Sequence, residues 1–194
     1  CEFPSKALAG VGVAFYLLAN LSSHRAKNDK STARITQYLD LVALGTYADV
    51  ASLDYNNRIL VDAGLKRIQQ NLCRSGISAL LDIAGRDPAS LKAQDLGFVI
   101  GPRINAAGRM ETMDIGIECL LADDASKAYA LAQQLNDLNV ERRQVEGKIK
   151  QEALVELEKL EFDQQNLPAA LVMFEEHWHQ GVIGIVAGRL KEQF

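Results

Sequence analysis

The chain has 194 residues, 48% of them hydrophobic, enough to bury a core and to hold one domain or parts of two. Lys and Arg number 21 against 25 Asp and Glu, a formal net charge of −4, which excludes a global basic signature and leaves nucleic-acid binding to a local patch. Cys1, Cys73 and Cys119 are odd in number with no Cys-x-x-Cys, against a disulfide framework or zinc ribbon, and with no apolar run long enough to span a membrane and no leader pattern the expected location is the reducing cytoplasm.

From the N-terminus, residues 8–21 are apolar on most faces and predict a buried helix beneath a sheet. Residues 22–32 are polar and charged and read as an exposed loop. Residues 35–48 return to helical periodicity with Leu39, Val42 and Ala43 on one side, and Asp49 falls where that helix ends, a place from which a side chain can project into a site. Residues 56–71 open on capping residues and predict a further helix, after which Ser75-Gly76 breaks the chain. Residues 78–84 and 91–99 predict short helices separated by Gly85-Arg86-Asp87-Pro88, and residues 115–121 one more. Asp123 or Asp124 can cap a long helix running to about Glu161, roughly 38 residues and on the order of 57 Å at about 1.5 Å per residue. Its middle, 139–143, is almost wholly polar, which favours a rod crossing solvent between two lobes; the alternative is a coiled coil whose stripe Arg142 and Glu152 interrupt. Residues 169–174 form an apolar run that predicts a buried strand.

Chemistry concentrates in the run 97–109, which sets Arg103, Asn105 and Arg109 among Gly101, Ala106, Ala107 and Gly108. Arginine's planar fork matches phosphate oxygens, and small neighbours let a sugar-phosphate backbone come close. Composition alone leaves open a helix–turn–helix packing joint with two surface arginines. On one helix, positions 105 and 109 share a face while 103 lies roughly 200° from 105, so one arginine is free for a structural role. His177 and His179, beside Glu175 and Glu176, invite a zinc reading, but two histidines without further ligands carry little weight. Gly10-x-Gly12 lacks the third glycine and spaced acid of a dinucleotide fingerprint. Phe15, Tyr16, Tyr38, Tyr47 and Phe98 sit in apolar contexts and are expected in the core rather than as stacking platforms for bases.

Four blocks in order carry a resemblance. They are 5–15, from Ser5-Lys6 through Gly10-Val11-Gly12 to Phe15; 40–50, ending Tyr47-Ala48-Asp49-Val50 and followed by Asn56-Asn57-Arg58; 97–109; and 178–190, beginning Trp178-His179-Gln180-Gly181. Together the chain resembles the RecJ family of single-strand-specific 5′→3′ exonucleases in the DHH phosphoesterase superfamily. The resemblance implies an α/β family of which this chain holds a mostly α part. Residues 1–122 would be the C-terminal helical part of a DHH catalytic domain, 123–166 a long interdomain helix, and 167–194 the beginning of a DHHA1 domain. Such enzymes carry most of their metal ligands in an Asp-x-Asp motif, a further aspartate motif and an Asp-His-His motif upstream of the block at 5–15. This chain has no Asp-x-Asp and no Asp-His-His, opens on Cys1 and stops within a helical pattern, so it is expected to be an internal part of a longer enzyme, inactive alone.

By itself an aspartate near a helix end is a cap or a surface charge. The resemblance implies that Asp49 is a catalytic metal ligand for Mn²⁺ or Mg²⁺, that Arg103, Asn105 and Arg109 bind substrate phosphates, and that His179 sits at the turn into a glycine-bearing helix whose N-terminus accepts an anion. The alternative for Gly181, Gly184 and Gly188 is close helix–sheet packing. Tyr47, Ala51 and Ser52 depart from the usual Val, Val and Pro, and Gly188 stands where a serine is common. The implied activity is degradation of single-stranded DNA in recombination and repair, with a single-strand-binding protein and a recombination helicase as partners. A superfamily relative hydrolysing small nucleotides or pyrophosphate, or a non-catalytic replication scaffold, are the competing readings.

Overall fold

The computed structural model describes residues 3, 5–26, 35–159 and 170–193, and among them every regular element is helical. The α-helices are α1 Gly10–Ala26, α2 Leu39–Ala48, α3 Tyr55–Gln69, α4 Ser75–Ile83, the single turn α5 Ala93–Asp95, α6 Gly101–Met110, α7 Asp114–Leu121, α8 Ala125–Lys159 and α9 Gln180–Gln193. Tight turns Ile35–Tyr38 and Pro88–Ser90 precede α2 and α5, and a widened π turn, Leu96–Ile100, joins α5 to α6.

Side-chain caps explain where two of these helices begin. The Asp54 carboxylate accepts the Asn57 backbone N–H at 2.8 Å and the Ser5 hydroxyl at 2.6 Å, so α3 starts at Tyr55 on an aspartate, ahead of the asparagines expected to cap it. Those two bonds, the backbone one first, hold the Asp54 carboxyl below its usual range. Asp124 caps α8 the same way, accepting the Lys127 N–H at 2.7 Å. Ser75-Gly76 opens α4 instead of breaking the chain. A Cβ on Gly76 would lie 2.1 Å from the Cys119 carbonyl oxygen, so this glycine is where α4 and α7 touch backbone to backbone.

Two cores are strung along α8. The larger gathers Ile68, Ile77, Leu80, Leu81, Leu96 and Ile100 with Leu135 from the first half of α8. The smaller packs Ile149 and Ala153 from the second half against Val182, Val186 and Leu190 of α9, with Trp178 beside them. Met110, at the end of α6, touches both. A third cluster, Leu39, Val42 and Leu60, seats α1 through Val11 and Phe15, with Leu8 just ahead of the helix.

Four expectations are corrected. Helix α1 forms, and it extends through Ser22 to Ala26 where a loop was expected, but it is not buried: Val13, Leu17, Leu18 and Leu21 are exposed, because the described residues include no sheet to cover them. The polar stretch of α8 does not cross solvent. Asn139, Arg142 and Glu146 are buried, since Arg142 pairs with Glu146 one turn on, Arg189 of α9 closes over the same carboxylate, and Arg142 donates to the Asn139 side chain. Residues 170–174 form no strand, having no partner strand among the described residues, and Val172 and Phe174 are exposed; Ala169 lies outside the described residues. Phe98 is not in the core, being 77% exposed.

Candidate functional site

Asp49 follows the last residue of α2, and its backbone N–H closes the helix on the Gly45 carbonyl at 3.0 Å. Its carboxylate is exposed and has no hydrogen-bond or ion-pair partner among the described residues. An anion at a helix C-terminus faces the negative end of the helix dipole, a placement that disfavours the carboxylate alone and favours a cation beside it. The chain then reverses in a Schellman turn: Val50 N–H bonds the Tyr47 carbonyl and Ala51 N–H the Thr46 carbonyl, each at 3.1 Å. Val50 takes φ = 52° to make that turn. Left-handed backbone is rare for a β-branched residue, and the strain falls on the peptide next to Asp49.

The loop after Asp49 is anchored by residues from two of the sequence blocks. Asn57, wholly buried, donates its amide to the carbonyls of Ser52 and Ala7, both at 2.8 Å, while Tyr16 donates to Asn56. Arg58 donates to the Leu53 carbonyl at 2.8 Å. Asp40, which opens the same block as Asp49, is buried and structural: it accepts the Arg74 N–H at 3.0 Å, and the Arg74 guanidinium lies 5.1 Å over the Tyr38 ring. The anchoring role of Asn57 carries no distinguishing mark in the sequence, since it lies between Asn56 and Arg58 in a helix with many polar residues.

Arg103, Asn105 and Arg109 all lie on α6, and the structure separates their surroundings. Arg103 turns toward α8, donating to the Val99 carbonyl at 2.6 Å and to Asn136 at 3.1 Å. Burial, then the charges of Arg143 and Arg86, hold its guanidinium below the usual range. Asn105 is exposed, without a partner among the described residues. Arg109, also exposed, donates to the Gly181 carbonyl at 3.2 Å. A Cβ on Gly181 would sit 2.0 Å from the Arg109 carbonyl oxygen, so a glycine is required for α9 to start against the end of α6. Gly184 and Gly188 face open space among the described residues.

His179 stands immediately before α9, and its Nδ1 accepts the Gly181 N–H at 3.1 Å. The ring thus caps the helix and brings α9's first turn beside Arg109. His177 points elsewhere: its Nε2 lies 2.8 Å from Glu152, which also accepts the Trp178 indole N–H at 2.8 Å. These bonds, the indole's first, lower the Glu152 carboxyl. The two histidines therefore do not converge, and no group of three metal-ligating side chains occurs among the described residues. As a metal ligand Asp49 fits as one hard oxygen donor, and the described part of this chain supplies no complete site. Neither described cysteine suits nucleophilic work: burial pushes the Cys119 thiol up to about 11, and burial followed by Asp40 raises Cys73. No described helix is long and apolar enough to cross a membrane.

No family model matches the chain. Curated relatives do match it along its whole length. It is 52% identical over 200 residues to the single-stranded-DNA-specific exonuclease RecJ of Salmonella typhimurium and 48% identical over 200 residues to that of Escherichia coli, covering 100% of this chain and 35% of each relative. The chain thus spans about a third of the length of these relatives. Among solved structures, RecJ of Thermus thermophilus in complex with Mg²⁺ superposes with a TM-score of 0.83 at 35% identity, over 99% of this chain and 28% of that one. An exonuclease RecJ bound to manganese matches with a TM-score of 0.83 at 36% identity, over 98% of this chain and 46% of that one. The resemblance read from the four blocks is therefore borne out: the chain is RecJ-like in sequence and in helical fold from end to end.

Proposed function

We propose that this chain is the helical section of a metal-dependent exonuclease that removes nucleotides from the 5′ end of single-stranded DNA by phosphodiester hydrolysis. The full-length likeness to RecJ proteins carries this reading. Residues 1–122 belong to the catalytic domain, 123–166 to the connecting helix and 167–194 to the start of the second domain. Asp49 contributes one oxygen ligand to Mn²⁺ or Mg²⁺, and the remaining ligands come from the rest of the parent protein. When bound, such ions neutralise developing charge and make hydroxide available near neutral pH.

The chain's own residues bind and orient. Arg109 and Asn105 present donors to strand phosphates at the α6–α9 junction, with the first turn of α9 and His179 adding backbone and ring groups beside them. Arg103 has its fork half engaged by Val99 and Asn136, which supports a positioning role with the rest of the guanidinium left for substrate. The reading implies a cytoplasmic protein working with a single-strand-binding protein and a recombination helicase.

The test is Mn²⁺-dependent release of nucleotides from 5′-phosphorylated, 3′-labelled single-stranded DNA by the complete parent protein and its Asp49→Ala variant. Loss from the 5′ end, reduced at least a hundredfold by the substitution while folding is kept, is expected at roughly the cost of losing a metal ligand. The 194-residue chain alone is expected to release nothing. Full activity in Asp49→Ala would overturn the assignment of Asp49, and hydrolysis by the isolated chain would overturn the placement of the remaining ligands outside it.

A further inference from the structure

Helix α9 lies on α8 through an apolar seam, Val182, Val186 and Leu190 against Ile149 and Ala153. One carboxylate is buried beside that seam. Glu146, 3% exposed, holds Arg142 of its own helix on one oxygen and Arg189 of α9 on the other. An apolar side chain of similar volume would fill the space without desolvating a charge, and the best-attested use of a charge kept in such a place is to fix register. Apolar contact is non-directional and lets one helix slide along another. An ion pair to a carboxylate already held by Arg142 favours one axial position.

Register matters at the other end of α9. Gly181 lies roughly two turns before Arg189, on the order of 12 Å away at about 1.5 Å per residue. There α9 meets α6 backbone to backbone, a Cβ on Gly181 falling 2.0 Å from the Arg109 carbonyl oxygen. The Gly181 carbonyl in turn accepts the Arg109 Nη1–H at 3.2 Å, which aims the guanidinium and leaves its other donors for a ligand. With that bond already long, a shift of about 1 Å along α9 breaks it.

We infer that Arg189 is a positioning residue for strand binding. Through Glu146 it fixes α9 along α8, and through the Gly181 carbonyl α9 fixes the Arg109 fork. This inference rests on Arg109 binding strand phosphates.

The test is a double-mutant cycle on the complete parent protein. Binding of 3′-labelled single-stranded DNA is read by fluorescence anisotropy in EDTA over a range of salt, with hydrolysis in Mn²⁺ measured on the same preparations. Arg109→Ala is expected to weaken binding about tenfold and to flatten the slope of log K against log salt by about 0.7, the share of one single-strand phosphate contact. Arg189→Met, at a half-exposed position and leaving Glu146 paired with Arg142, is expected to fold by circular dichroism and to reproduce both changes. Should it unfold, Arg189→Gln takes its place in the cycle. Combined with Arg109→Ala, the Arg189 substitution is expected to weaken binding no further, within about twofold. Wild-type binding by the folded Arg189 variant, or losses that multiply in the double variant, would overturn the positioning role and leave Arg109 on the strand. Unchanged binding by Arg109→Ala would remove Arg109 from the strand and this inference with it. The expected cycle in a parent protein that hydrolyses no DNA would keep the inference and overturn the exonuclease reading.

Discussion

Helices α2, α3 and α4 end in the same Schellman hydrogen bonds but place very different residues at the left-handed position: Val50 at φ = 52°, Asn71 at 57° and Gly85 at 63°. Glycine adopts this backbone freely and asparagine tolerably, whereas for a β-branched residue it costs about 1–2 kcal/mol. Val50 recovers little through burial, since it is 87% exposed. Val50→Gly is therefore expected to stabilise the chain by about 0.5–1 kcal/mol after the added freedom of the unfolded glycine is subtracted. Urea unfolding would show this as a higher midpoint at constant slope; an unchanged or lower midpoint would mean that the valine makes contacts outweighing its strain. The position of Asp49 at a helix end was legible in the sequence because the periodicity of α2 stops there. The valine's backbone was not, because nothing local in the sequence distinguishes it from an ordinary apolar residue after a helix.

At the scale of elements, local signals served well and distant partners did not. Helix α8 was legible from its Asp124 cap and three-and-four spacing, both written within a few residues of the feature they specify. The burial of its polar middle was not, because the helix that covers it is α9, whose Arg189 meets Glu146 across the two helices. The same limit applies to α6, where Arg103 and Arg109 look alike in sequence and are set apart by Asn136 and Gly181 from far along the chain. Glu146→Ala would leave Arg142, 8% exposed, without its counter-charge, and is expected to cost about 3 kcal/mol. The paired replacement Arg142→Met with Glu146→Leu removes both charges and is expected to cost far less. A double-mutant comparison by chemical denaturation checks this, and equal losses from the single and double replacements would contradict it.

Across the whole molecule, the small core around α9 is tied to α8 by Glu152, which holds both His177 and Trp178. Because the folded Glu152 carboxyl is depressed relative to the unfolded chain, the tie contributes fully above the ordinary carboxylate range and is lost as pH falls through the lowered folded value. Emission from Trp178, the chain's single tryptophan, is expected to shift in that acidic window while helical circular dichroism persists, and Glu152→Gln should abolish the step. Constant emission down to the acid limit would show that the tie does not report on this carboxyl. Helix α8 itself contains 35 residues, no proline and one glycine, Gly147, which is exposed and adjoins the Glu146 linkage. Mechanically it is a beam with a mass near each end and its most pliant section at the brace. Bending of α8 is then easiest at Gly147, and the contact of Arg189 with Glu146 opposes it from α9.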